Sequence, residues 1–306
     1  MRAAHRSATS WLSRKADGNA FATRSDHAAP GAADARDEHP KPGGGLGMCR
    51  WAAYTGAPIL LEEVVCRPGH SLIEQSHGAT QSKTAINADG FGIAWYGERP
   101  EPGLFRDILP AWSDPNLRSI TAQVRSGLFL AHVRASTGTA TSRNNCHPFA
   151  VGRWSFMHNG QIGGFDRIRR EVDMMIPDAL YPQRRGATDS EALFLVALSE
   201  GLDEDPMGAF ARAVGRLERL SRDRGVAPHV RLSAAFTDGK TLFACRYATD
   251  DFAPTLYHRW SDRFGGRAVV SEPLELGECW DAVAPGSFCV FTEGAVETRT
   301  FVPVLS

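Results

Sequence analysis

The first 47 residues contain no valine and no isoleucine, and a segment without β-branched aliphatic side chains has little from which to build a core. It is rich in Ala, Arg, Asp, Gly and Ser, a composition expected to stay disordered. It lacks the apolar stretch of a secretory signal. Met1 to Ala16 carry Arg and Ser without an acid, a faint likeness to an organellar transit peptide, but Asp17, Asp26, Asp34, Asp37 and Glu38 depart from it. The expected organisation is an extension over residues 1–48 and one globular domain over residues 49–306. The extension ends Gly43-Gly44-Gly45-Leu46-Gly47, directly before Met48-Cys49. Glycine codons are G-rich and bacterial ribosome-binding sites are purine-rich. Met48 is therefore expected to be the true start. The alternative is a propeptide removed at Cys49.

From Cys49 onward the pattern is globular. Phe129 to Arg134 and Trp154 to His158 read as strands leading into polar loops. Leu232 to Thr237 and Leu242 to Tyr247 flank Asp238-Gly239, the signature of a hairpin. Arg267 to Ser271 and Ser287 to Thr292 also read as strands. Thr188-Asp189-Ser190-Glu191 fits a capping box ahead of a helix over Ala192 to Leu202. Phe210, Val214, Leu217 and Leu220 share one helical face, with Gly225 as a stop. Strands and helices mixed in this order imply an α+β layered domain.

The net charge of −1 and pI near 6.8 supply no field that favours nucleic acid or an anionic membrane. The longest apolar run, Ala192 to Leu198, falls far short of the roughly 20 residues of a membrane span. None of the six cysteines has CxxC spacing, so a zinc knuckle is not expected. The chain reads as cytoplasmic and reduced, with most cysteines buried as small apolar residues.

Four motifs could carry chemistry, and each alone also has a bland reading. If Cys49 becomes N-terminal, one residue offers a thiol and an α-amine that titrates near ~7.7–8.0 and can act as base; otherwise Cys49 is a structural cysteine. In His132-Val133-Arg134-Ala135-Ser136-Thr137, the Arg134 fork suits a carboxylate, or simply a surface ion pair. His158-Asn159-Gly160 reads as a strand end and tight turn. Such a turn could present the Asn159 side-chain N–H and the Gly160 backbone N–H as an oxyanion hole. Asp189, at the first position of its helix, could hold an ammonium group. The GxG of Asn87-Ala88-Asp89-Gly90-Phe91-Gly92 lacks the GxGxxG form of a dinucleotide site.

Taken in order, Met48-Cys49-Arg50, Asn-Ala-Asp-Gly-Phe-Gly, His-Val-Arg-Ala-Ser-Thr, His147-Pro148-Phe149, His-Asn-Gly and Thr-Asp-Ser-Glu closely resemble the class II glutamine amidotransferases. The likeness is strongest from Cys49 to Glu191 and runs more loosely through Val269-Val270-Ser271-Glu272-Pro273. The Met-Cys-Arg opening and short length look most like the stand-alone YafJ/EgtC-like branch, which includes an ergothioneine-pathway γ-glutamyl hydrolase. The resemblance implies an N-terminal-nucleophile hydrolase fold, a four-layer αββα sandwich. It implies Cys49 as nucleophile with its own α-amine as base. Asn159 and Gly160 match the oxyanion-hole pair. Arg134 and Thr137 match contacts to the substrate carboxylate, and Asp189 matches the group that holds its ammonium. Larger members often have Trp and His where this chain has Ala135 and Gly138. No metal or organic cofactor is implied.

The expected reaction is attack of Cys49 on the γ-amide of glutamine, release of ammonia, and hydrolysis of a γ-glutamyl thioester to glutamate. Two alternatives stay open. One is hydrolysis of a larger γ-glutamyl conjugate. The other is a silent glutamine-binding module, which follows if the extension stays attached and the Cys49 nitrogen is an amide. The expected ligand is glutamine or a γ-glutamyl small molecule, and an ammonia-accepting partner protein is left open.

Overall fold

The computed structural model describes residues 49–78, 87–135, 140–292 and 294–305. Residues 1–48, the expected extension, lie outside them. The described elements are β1 (Arg50–Leu60), α1 (Glu62–Val65), α2 (Leu72–His77), β2 (Phe91–Trp95), β3 (Gly103–Asp107), α3 (Pro115–Gln123), β4 (Arg125–Val133), β5 (Phe149–Val151) and β6 (Trp154–Ile162). They continue with α4 (Phe165–Asp173), α5 (Asp189–Ser199), α6 (Pro206–Asp223), β7 (Val230–Thr237), β8 (Leu242–Ala248), β9 (Tyr257–Ser261), β10 (Gly266–Val270), β11 (Asp281–Ala282), β12 (Ser287–Thr292) and β13 (Ala295–Thr300).

The strands form two antiparallel sheets, one ordered β11-β9-β10-β1-β4-β2-β3 and the other β13-β12-β8-β7-β6-β5. Side chains alternate across a strand, and the sequence uses both faces. On β1, Ala52 and Tyr54 face one apolar cluster with Leu61, Val64, Leu72 and Leu117, which belong to α1, α2, α3 and the turn before α1. Trp51 and Ala53 face a second cluster with Met157, Ala235, Ala244 and Phe291 of the other sheet. On β7, Leu232, Ala234 and Phe236 meet Ile168, Phe194 and Phe210 from α4, α5 and α6. The layers are thus helices, sheet, sheet, helices: the expected αββα sandwich. Because both faces of these strands are covered, they read as nearly continuous apolar runs.

The hairpin at Asp238-Gly239 joins β7 to β8 as expected. Helix α6 buries Phe210, Val214 and Leu217, and Gly225 follows its C-cap with φ +64°. His158-Asn159-Gly160 departs from expectation: it is not a turn at a strand end. β6 runs on through Ile162, pairing Asn159 with Ser233 and Gly160 with Leu232 of β7. The turn falls at Gly163-Gly164 instead. Among the described residues no helix is long and apolar enough to cross a membrane.

Candidate functional site

The alternation that builds the layers also aims the site. Trp51 of β1 faces the inter-sheet layer, and Cys49, two residues earlier, continues that row. Leu128 and Leu130 of β4 face the same layer, and the row continues through His132 to Arg134. Met157 of β6 faces it from the opposite sheet, and Asn159 follows. Arg50 pairs with Val133, which sets Cys49 beside Arg134. Cys49, Arg134, Asn159, Gly160 and Asp189 line one cavity of about 630 Å³ at this end of the sandwich. Thr137, together with Ser136 and Gly138, lies outside the described residues.

Cys49 is half-buried. Its Sγ accepts the Ala135 N–H at 3.3 Å and lies 3.5 Å from the Ala135 carbonyl oxygen. Burial pushes the thiol above its ordinary range, opposed by the Ala135 N–H and by the positive charges of Arg134 and Arg50. The thiol is therefore the resting form, and a nearby base must take its proton on attack. Arg134 is buried, and its Nη1 donates to the Asp89 carbonyl at 3.3 Å. Its backbone exchanges hydrogen bonds with the Asp89-Gly90 segment, so the Asn87 to Gly92 cluster serves as a support for Arg134.

Asn159 is buried, and its side chain makes no hydrogen bond to another described residue; its amide borders the cavity. Gly160 is exposed there with φ +144°. A Cβ at Gly160 would collide with the Arg231 carbonyl oxygen of β7, so only glycine fits this ladder position. His158 points the opposite way, toward α5, where its Nδ1 lies 2.9 Å from Ser190 Oγ.

Asp189 opens α5. Its Oδ2 accepts the Ile162 N–H at 2.8 Å and its Oδ1 the Ser190 N–H at 2.8 Å, so the end of β6 and the start of α5 fix it together. A carboxylate has about four lone-pair sites, which leaves acceptor capacity for a ligand's ammonium. Thr188 caps the helix, accepting the Glu191 N–H at 3.1 Å. Glu191 does not complete the expected box. Its carboxylate accepts the N–H groups of Arg185 at 3.2 Å and Gly186 at 2.8 Å, and pairs with Arg184 Nη1 at 2.8 Å. It holds the loop before the helix rather than the helix's first residue.

The rings of His132 and His147 stack with centroids 4.2 Å apart. Burial, reinforced by Arg134, pushes His132 down to about 3, and burial with the neighbouring His132 pushes His147 well below the ordinary range. Both are neutral at pH 7, and His147 borders the cavity. Sequence reasoning missed this stack, the Ala135 N–H beneath the sulfur and the Ile162 N–H on Asp189. Backbone donors carry no sequence signature, so only the fold reveals them.

The arrangement brings a thiol, a guanidinium, a carboxylate, the Asn159 side chain and the Gly160 backbone around one cavity. Residues 70–259 match the family described as Glutamine amidotransferases class-II. The chain is 36% identical over 289 residues to the probable glutamine amidotransferase DUG3 of Saccharomyces cerevisiae, covering 78% of this chain and 80% of that protein. It is 29% identical over 238 residues to the gamma-glutamyl-hercynylcysteine sulfoxide hydrolase of Mycolicibacterium smegmatis, covering 77% of this chain and 92% of that protein. A solved glutamine aminotransferase class-II domain protein from Silicibacter pomeroyi superposes with a TM-score of 0.69 at 50% identity, over 84% of this chain and 100% of that one.

Proposed function

Because the chain belongs to the class II glutamine amidotransferases, we propose that it cleaves the γ-amide of glutamine through a γ-glutamyl thioester on Cys49. The observation that carries this reading is the shared cavity: Cys49, Arg134, Asn159, Gly160 and Asp189 border it together. Free glutamine has one carboxylate, one ammonium and one amide carbonyl. Arg134 takes the first, together with Thr137, and Asp189 takes the second. Asn159 and Gly160 take the oxygen of the third as it becomes negative.

The α-amine of Cys49 accepts the thiol proton as sulfur attacks the amide carbon. It returns that proton to the leaving nitrogen as the C–N bond breaks, and ammonia departs. Water then adds to the thioester, giving glutamate and restoring the thiol. This requires the Cys49 nitrogen to be an amine. We therefore take the functional protein to begin at Cys49, with residues 1–48 absent or removed and residues 49–306 forming the catalytic domain. A retained extension would leave a glutamine-binding protein without this base.

A second reading is hydrolysis of a γ-glutamyl conjugate larger than glutamine. The relative from Mycolicibacterium smegmatis carries that kind of name, and a cavity of about 630 Å³ exceeds what one glutamine fills. The decisive assay compares ammonia release from glutamine with amine release from γ-glutamyl amines, on protein whose N-terminus is read by intact mass. Cys49→Ser is expected to abolish both releases at unchanged thermal midpoint. Full activity in Cys49→Ala would sink the nucleophile assignment.

A further inference from the structure

Arg50, the residue after the nucleophile, is an arginine 1% exposed, and it is held by charge. Its Nε donates to Glu272 Oε2 at 2.5 Å, and Glu272 is also 1% exposed. The other carboxylate oxygen, Oε1, lies 2.8 Å from His70 Nε2. Gln75 locks the far side, its Nε2 donating to the carbonyls of His70 at 2.9 Å and Glu272 at 3.4 Å. The guanidinium also reaches back: Arg50 Nη1 donates to the Cys49 carbonyl at 3.0 Å. Next to this, Trp51 N–H donates to Ser271 Oγ at 2.9 Å and Ser271 N–H to the Trp51 carbonyl at 3.0 Å. The segment after β10 therefore grips the beginning of β1 at both residues.

A buried ion pair contributes little net stability, because desolvation offsets much of the attraction. What it supplies here is a fixed position. An N-terminal residue has a peptide bond on one side only, so nothing upstream sets its torsions. In Cys49 the sulfur is held by the Ala135 N–H and the carbonyl oxygen by Arg50. With β1 holding the carbonyl carbon and the Ala135 N–H holding the sulfur on Cβ, the torsions about Cα are restricted, and with them the direction of the α-nitrogen.

We propose that Arg50, anchored by Glu272 and His70, is a positioning residue that orients the α-amine of Cys49 toward its own sulfur. The inference rests on Cys49 being the N-terminal nucleophile. Lysine at position 50 can keep the ion pair with Glu272 but has no fork with which to hold the Cys49 carbonyl as well. Glu272→Gln keeps the shape and removes the charge.

The test is steady-state glutamine hydrolysis by Arg50→Lys and Glu272→Gln, with thermal midpoints measured alongside. Misplacing a base by a fraction of an ångström lowers turnover rather than binding, so kcat is expected to fall roughly 10- to 100-fold. KM should change less than about threefold, as expected for a loss confined to the chemical step. Wild-type kcat in a folded Arg50→Lys protein overturns the inference, as does a rise in KM at constant kcat. If Arg50→Lys does not fold, Glu272→Gln decides by the same criteria. If neither folds, the network is only structural and the inference fails. Cys49→Ala in the same assay separates the two levels. Activity there sinks the nucleophile reading, whereas a silent Cys49→Ala beside a fully active Arg50→Lys sinks only the positioning role.

Discussion

Asn159 and Gly160 show how one strand can divide its labour. Asn159 continues the inward row of Met157, while Gly160 gives up its side chain because the Arg231 carbonyl occupies the space. If this pair holds the oxyanion, the loss from Asn159→Ala belongs to the transition state. kcat should fall by roughly 10²–10³ with little change in KM. Arg134→Ala and Asp189→Ala should act the other way, raising KM more than they lower kcat, because they bind charges that do not change during the reaction. Steady-state kinetics on the three variants checks the division, and an Asn159→Ala defect confined to KM would refute it. These residues were legible in the sequence because their motifs are local and ordered along the chain. Arg50 was visible only as part of an opening motif. Its partner Glu272 lies 222 positions away, and no periodicity links the two. Thr137 was read with the others and lies outside the described residues.

Among the elements, α5 was the most legible. Thr188 and the apolar run behind it announce a capped, buried helix, and residues Ser190 to Ala197 are buried on every side. Thr188→Ala should cost about 1 kcal/mol through loss of its hydrogen bond to the Glu191 N–H, and Thr188→Ser should be nearly neutral. Urea unfolding of both variants measures it, and equal loss in the two would mean that packing, not the cap, matters at this position. The second half of the box misled, because a glutamate three residues after a cap can reach either the cap's N–H or any loop N–H nearby. Here Arg184 and the loop at Arg185-Gly186 prevail. The extent of β6 misled for a related reason. Asn-Gly favours a turn locally, but the β7 ladder supplies partners for both residues and carries the strand onward. Short elements such as α1, β5 and β11 left no periodic signal, since their positions are set by neighbours in the sheets and layers.

For the whole molecule, the residues gave mixed strands and helices, and the four-layer order came from the family likeness. The stacking of two sheets depends on which strands pair across the chain, and β1 lies between β10 and β4, a pairing no local pattern encodes. The sandwich also buries three histidines near one end, and this makes the fold sensitive to acid. His132, His147 and His158 are all held below their ordinary value of 6.5, chiefly by burial. A histidine depressed on folding takes up its proton in the unfolded chain first. Its contribution is fully present above about pH 6.5 and is lost as pH falls toward the folded value. Each proton of difference costs about 1.4 kcal/mol per pH unit, so His132 and His147, the two held furthest down, together approach about 3 kcal/mol per unit just below pH 6, and His158 acts in the same direction. Paired carboxylates act in a lower window. Asp250, held down mainly by its hydrogen bonds from Arg231, sits below its ordinary 3.8 and loses its share only as pH falls beneath that value. Against a total stability of roughly 5–15 kcal/mol, the histidines alone should bring unfolding close before the carboxylates titrate. Urea midpoints measured from pH 7 to 5 should fall steeply in the wild type. The slope should be shallower by about one proton in His132→Asn, whose replacement does not titrate in this range. An unchanged slope in that variant would show that burial of the stacked pair is not what couples this fold to acid.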